Sequence, residues 1–237
     1  MSIVSKIVRR WYMRNRVTFV KYLRKQGFQI GNNVFIRDPK SFVIDGTRKA
    51  SISIGDNVYF NLNTSIIAHD EMAKVFRIKF NDWLPSNGHI NIGNNIVFAR
   101  NVTILKGVTI GDNCIIGFGS VVTKDIPDNS VAIGAPARVI CTIEDYYIKR
   151  QEKAIEESFE YARNIQNRFG RTPVYSDFHE SFVYFVSGSE MDKYPQLPYK
   201  HQLGPLYDYY KKNHKAKFNS FEEFLIAAGI SNDDEKQ

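Results

Sequence analysis

The sequence predicts a mainly β chain wound as a β-helix solenoid, with a helix ahead of it and a helical extension behind. Three observations carry this: an apolar residue at every sixth position, a Gly-Asn-Asn or Gly-Asp-Asn signature in phase with that period, and a change to helical spacing beyond Glu144. Between residues 92 and 122 the sixth positions are Ile92, Phe98, Ile104, Ile110, Ile116 and Val122. Four residues after each of the first five stands a compact side chain: Ile96, Val102, Val108, Cys114 and Ser120. A period of six matches neither the 3.6-residue helix nor the two-residue strand alternation. It matches a chain that turns a corner every six residues and places one apolar side chain inside at each turn, and a short repeat of this kind decides the fold.

Residues 1–27 form the first element, a basic amphipathic helix over 3–25 with Ile3, Ile7, Trp11, Val17, Val20 and Leu23 among its apolar positions and Gly27 as its stop. Two readings stay open for it. It caps the open end of the solenoid, or it lies on an anionic membrane with Trp11, Tyr12 and Phe19 as interfacial anchors. The six-residue register begins at Ile30, Ile36 and Phe42, in phase with Ile54, Phe60 and Ile66, and residues 43–53 fit it poorly. Corner motifs recur as Gly31-Asn32-Asn33, Gly55-Asp56-Asn57, Gly93-Asn94-Asn95 and Gly111-Asp112-Asn113, residue types that tolerate left-handed backbone angles. The register breaks after Ile66 and resumes at Ile92, so residues 69–89 leave the solenoid, and loops on a rigid scaffold are where binding and catalysis concentrate. The repeat domain therefore runs from 28 to 143, and 144–237 form a mostly helical extension. In that extension Ile148, Ile155, Phe159, Ala162, Ile165 and Phe169 share one helix face ended by Gly170, and Ser220 with Glu223 forms a capping box before a helix stopped by Gly229. The Tyr- and Phe-rich stretch 174–212 is either aromatic core or a set of sugar-stacking platforms.

Composition narrows the function classes. The net charge of +7 resides at the N-terminus: residues 1–37 hold nine Lys and Arg and no acid, and the rest of the chain carries 23 basic against 25 acidic residues. That distribution argues against a broad nucleic-acid surface. Two cysteines, Cys114 and Cys141, are too few for a disulfide framework, and no apolar run reaches the ~20 residues of a membrane span. A cytoplasmic protein, peripheral to the inner membrane face if the first helix binds lipid, is the expectation.

Residues 101–140, NVTILKGVTIGDNCIIGFGSVVTKDIPDNSVAIGAPARVI, resemble the hexapeptide-repeat acyltransferases, and within them the galactoside/maltose and capsular polysaccharide O-acetyltransferases. The resemblance covers about residues 30–141. It implies a left-handed parallel β-helix, assembly as a homotrimer, and acetyl-CoA as co-substrate in a groove between neighbouring prisms, with no permanently bound cofactor and no metal. It implies O-acetylation of a carbohydrate acceptor, a capsule or O-antigen sugar or its precursor. A small-molecule acceptor, such as an antibiotic or an amino sugar nucleotide, is the alternative, and a non-catalytic trimeric scaffold another.

By the same resemblance His69, directly after the Asn63–Ala68 hexad, is the general base, and a neutral-range imidazole suits that task. His89 at the far end of the excursion is a second candidate base or a substrate contact, Asp70 and Glu71 either orient an imidazole or are solvated loop acids, and Asn63 either holds the substrate or the loop or is a plain corner residue. Ala99, Arg100, Gly117, Phe118, Gly119, Ser120, Thr123, Lys124 and Arg138 border the coenzyme, the cations among them suited to its phosphates. Two positions depart from the family pattern: Arg100 stands in Val97-Phe98-Ala99-Arg100, and Phe118 where a small residue is usual. A zinc hydratase on the same solenoid needs three histidines from the coils, and only His69 and His89 lie near them.

Overall fold

The computed structural model of the protein describes Tyr12, Met13 and residues 15–230. Four coils of three short strands each follow one another. The first is β1 (Gln29–Ile30), β2 (Phe35–Ile36) and β3 (Val43–Ile44), and the second is β4 (Ile52–Ile54), β5 (Val58–Phe60) and β6 (Ser65–Ile67). The third is β7 (Ile90–Ile92), β8 (Ile96–Phe98) and β9 (Thr103–Leu105), and the fourth is β10 (Val108–Ile110), β11 (Cys114–Ile116) and β12 (Val121–Val122). Strands of equal rank pair in parallel, giving three sheets that wrap one core. The columns read Ile30–Ile54–Ile92–Ile110, Ile36–Phe60–Phe98–Ile116–Ala132 and Ile44–Ile66–Ile104–Val122. Every sixth-residue position from 92 to 122, and every compact position four residues on, is buried. Each fully buried aliphatic contributes about 1.5–3 kcal/mol, so the period is also the main source of cohesion.

The corner motifs each do three things. Asn33, Asn57, Asn95 and Asn113 have φ between 53° and 57°, the left-handed turn that closes each corner. Their side chains stack into a ladder, with Asn33 Nδ2 donating to Asn57 Oδ1 (3.0 Å), Asn95 to Asn113 (2.8 Å) and Asn113 to Asn129 (3.0 Å). One residue earlier, the acid or amide accepts a backbone N–H from the previous coil: Asp56 N to Asn94 Oδ1 (2.8 Å), Asn94 N to Asp112 Oδ1 (2.7 Å) and Asp112 N to Asp128 Oδ1 (2.7 Å). The glycine before it has no room to be anything else, since a Cβ on Gly93 would come within 2.4 Å of Asp112 Oδ1 and 2.9 Å of the Gly111 carbonyl carbon. Asn63 belongs to a second such corner, with φ 59° and its amide donating to Asn101 Oδ1 at 2.8 Å.

Helix α1 (Arg16–Lys25) closes the first coil. Phe19, Val20 and Leu23 join the solenoid core, where Phe19 meets Phe42 edge-on, Phe42 meets Phe60, and Phe60 stacks on Phe98 at 4.9 Å. Gly27, at φ 93°, ends the helix in a Schellman arrangement, with its N–H on Arg24 O and that of Phe28 on Leu23 O. The capping role thus holds for the described part of this helix. Phe19 is buried and so is not an interfacial anchor, whereas Val17 is exposed. Trp11 and the rest of 1–11 lie outside the described residues.

The chain leaves the three-hexad coil twice. Residues 45–51 lengthen the first turn, and the stretch after β6 forms a long arm carrying α2 (Ala73–Lys79). After β12 the coil ends with β13 (Ser130–Gly134) and β14 (Ala137–Thr142), an antiparallel pair.

Contacts divide the chain at Tyr147/Ile148. The second unit holds most of α3 (Ile143–Phe169) and the short helices α4 (Tyr199–Leu203), α5 (Tyr207–Asn213) and α6 (Phe221–Ala227). Its core is aromatic: Phe178, Phe182, Phe185, Tyr199, Tyr210, Phe221 and Phe224 surround Ala162 and Ile165 of α3. Most of the 174–212 aromatics are thereby core. The expected helix face is narrower than its spacing suggests, because Ile148 and Phe169 are exposed. The Ser220 hydroxyl caps α6 by accepting from Glu223 N (3.1 Å). Its partner bond is shifted by one residue, since the Glu223 carboxylate receives the N–H of Asn219 at 2.7 Å.

Candidate active site

Asp45, His69, Lys106 and Lys124 fall at one corner of the prism because each follows a strand of the same sheet, β3, β6, β9 and β12, by one or two residues. Asp45 continues the ladder, donating its N–H to Ile66 O at 3.0 Å, so coil 1 holds it beneath the start of the arm. Its carboxylate receives the Thr47 N–H (2.9 Å) and hydroxyl (2.7 Å) and contacts His69 Nδ1. The Asp45 side chain is 2% exposed and that of His69 32%, a buried acid behind an imidazole that reaches solvent. Burial pushes the Asp45 carboxyl up, but the hydrogen bonds from Thr47 and His69 outweigh it and hold the group below the usual aspartate range. An ionised Asp45 accepts only, so Nδ1 carries the proton and Nε2 is left as the basic nitrogen.

The arm is tied at its root. His69 and Asn87 form an antiparallel bridge, Gly88 N donates to Ala68 O at 3.0 Å, and Asp70 N donates to Ser86 O at 3.2 Å. Asp70 does not reach the imidazole. Its carboxylate pairs with Lys106 Nζ (2.5 Å) and accepts from Ser86 Oγ (2.9 Å), bonds that hold it below the ordinary carboxylate range. Of the two acids weighed for orienting the ring, Asp70 is bound to Lys106 and Ser86 and Glu71 to Lys74, and the acid in contact with the imidazole is Asp45. His89 is exposed at the far foot of the arm, its carbonyl accepting from Gly107 N and Val108 N. The outer arm presents Val75, Ile78, Phe80, Trp83 and Leu84 to the exterior.

The residues expected at the coenzyme occupy two corners and a terminal strand. Ala99, Arg100, Gly117, Phe118, Gly119 and Ser120 stand at the corner before the β9/β12 sheet, and Thr123 and Lys124 at the corner after it. Backbone bonds lock the first group, with Ala99 N on Ile116 O, Gly117 N on Ala132 O and Gly119 N on Arg100 O. Ser120 is buried and donates to Gly117 O at 2.7 Å, so its hydroxyl is spent inside the corner. Gly117 is required by Ile133, whose side chain would lie 2.8 Å from an added Cβ. Phe118 is 61% exposed and projects from this corner beside the exposed Arg100. Arg138, exposed on β14, donates to Ala137 O at 2.8 Å.

Asp45 is the candidate site residue that reading the sequence missed. Its one signal was Asp45-Gly46-Thr47, a turn sequence placed where the period first falters.

Comparison with known proteins places the repeat region in a family. The bacterial transferase hexapeptide (six repeats) profile matches residues 89–124. Galactoside O-acetyltransferase of Escherichia coli K12 is 39% identical over 142 residues, covering 51% of this chain and 68% of that protein. The putative acetyltransferase YvoF of Bacillus subtilis 168 is 35% identical over 103 residues, 44% of this chain and 55% of YvoF. A maltose O-acetyltransferase structure from Clostridium difficile 630 aligns with TM-score 0.42 and 31% identity, over 58% of this chain and 83% of that one. No helix among the described residues is long and apolar enough to cross a membrane. With the repeat profile on its central coils and more than two thirds of a galactoside O-acetyltransferase matched, this chain belongs to the bacterial hexapeptide-repeat transferase family, among its acetyltransferases.

Proposed function

We propose that the protein transfers the acetyl group of acetyl-CoA directly to a hydroxyl of a carbohydrate, a surface polysaccharide or its precursor, with His69 as general base. The observation that carries this is the Asp45–His69 pair at the root of the arm. Asp45 accepts a hydrogen bond from Nδ1–H, fixes the ring and stabilises the imidazolium that forms when Nε2 removes the acceptor's proton. The freed alkoxide attacks the thioester carbonyl, the C–O bond forms, and the tetrahedral intermediate expels the coenzyme thiolate, which takes up the proton from His69. No acyl-enzyme intervenes. The buried Cys114, whose thiol burial pushes up, is unsuited to be one.

Coenzyme binding on this reading uses Ala99, Arg100, Gly117, Phe118 and Gly119 from one corner and Thr123 and Lys124 from the next. Arg138 and Lys124 meet phosphate. The two corners flank β12, and with the coenzyme in a groove between neighbouring copies, as the family resemblance implies, the working assembly is a homotrimer. The name of a relative, galactoside O-acetyltransferase, supports a carbohydrate acceptor. Thiol release from acetyl-CoA with a panel of glycosides tests the reading. Acceptor-dependent release from wild type that is lost in His69→Ala supports it, and acceptor-dependent release undiminished in His69→Ala removes His69 as base. Lys124→Ala raises the KM for acetyl-CoA, and an unchanged KM leaves that lysine outside the site.

A further inference from the structure

The second unit carries a groove that the chemistry above does not use. On α3, residues 150, 154, 157, 161, 164 and 168 recur at spacings of three and four and so form one stripe, about 27 Å long at 1.5 Å per residue. Two concavities open along it. One of about 480 Å³ lies between Arg150–Tyr161 and the segment Asp177–Tyr184, and one of about 550 Å³ is lined by Tyr161, Asn164, Asn167 and Arg168. Tyr161 is common to both, a residue 49% exposed whose ring meets that of buried Phe178 edge-on at 5.6 Å. An aromatic face supported from behind and open in front suits the C–H face of a sugar ring.

The polar lining points the same way. Asn164 and Asn167, both exposed, offer donor and acceptor on one planar group, a match for vicinal hydroxyls. Ser158 Oγ and Ser181 Oγ, 2.8 Å apart, line the first concavity. Its charges are balanced locally: Arg150 is held by both oxygens of Glu157 at 2.7 and 2.6 Å, and Asp177 by Arg171 at 2.8 Å on each oxygen. Glu180 adds a further carboxylate, and with His179 in the first concavity and Arg168 in the second the two linings carry three carboxylates against two guanidiniums and one imidazole, a balance that gives an anionic ligand no net attraction.

We infer that this groove binds a neutral glycan of two or more sugar units, with Tyr161 as the stacking platform between two subsites. The inference rests on the carbohydrate-acceptor reading and deepens it: a polymer held by the second unit stays at high effective concentration for the transferase it is tethered to.

Calorimetric titration of the full chain without acetyl-CoA tests this independently of transfer. The probes are maltotetraose and β-1,4-linked galactotetraose, the corresponding monosaccharides, and α-2,8-linked tetrasialic acid. At least one neutral tetrasaccharide binds, more tightly than its monosaccharide and than tetrasialic acid. Tyr161→Ala weakens that binding about tenfold, equivalent to 1.4 kcal/mol, while Tyr161→Phe retains it. The Asn164→Ala/Asn167→Ala double variant, altered only at exposed positions, weakens it as well. Absence of binding by both neutral tetrasaccharides, equal affinity in wild type and both the Tyr161→Ala and double variants, or preference for tetrasialic acid overturns the inference. Loss of acetyl transfer with glycan binding intact instead counts against the function proposed above.

Discussion

The regular coils and the two departures from them are built from one chain by opposite rules. Within residues 90–122 the same side-chain types repeat, and each backbone and corner group meets its counterpart one coil away. At 45–51 and 68–89 the repeat is abandoned, and the partners become particular: Asp45 with His69 and Thr47, Asp70 with Lys106 and Ser86. The coil supplies rigidity by repetition. The insertions supply a buried carboxylate and a half-exposed imidazole, which no repeat position offers.

Substitutions on the two sides of this contrast separate. His69→Ala lowers kcat by about 10²–10⁴-fold and leaves the melting temperature nearly unchanged. Phe98→Ala, in the aromatic stack, costs about 3–5 kcal/mol of stability, read by chemical denaturation. Asn113→Ala keeps a left-handed corner without its ladder and costs at least about 1–2 kcal/mol, with Asn113→Gly costing less. Acidification probes the Asp45 site. A carboxyl held below its usual range stabilises the fold above its unfolded pKa, and that stability is lost as pH falls through the lower folded value. Wild type therefore loses stability below about pH 4 more steeply than Asp45→Asn, seen in melts across that range. Lys106→Ala has the smallest effect, under about 1 kcal/mol globally, with faster amide exchange at Asp70 and Gly88 as its signature.

The coils, the corners and the two breaks in the period were legible in the sequence because β-helix repetition writes itself as a period: Ile92 to Val122 needed only counting. The helical extension was legible as helices, but not which faces would be covered. Ile148 and Phe169 hold the right spacing and stay exposed, since spacing defines a stripe and not its partner. The proposed catalytic pair was half legible. His69 stood out by its place at the break, whereas Asp45 lies 24 residues earlier and one coil below, a proximity that exists only once the first coil's lengthened turn is closed. Asp70, the neighbour in sequence, read either as a group that orients the ring or as a solvated loop acid, and Lys106 and Ser86 claim it instead.

The central claim is that Asp45 serves His69. Steady-state kinetics of Asp45→Asn against acetyl-CoA and a glycoside acceptor test it most directly. The account predicts kcat reduced by about 10²–10⁴-fold, because an amide neither fixes the Nδ1–H tautomer nor stabilises the imidazolium, with the KM for acetyl-CoA unchanged. An undiminished kcat in a folded Asp45→Asn protein contradicts it.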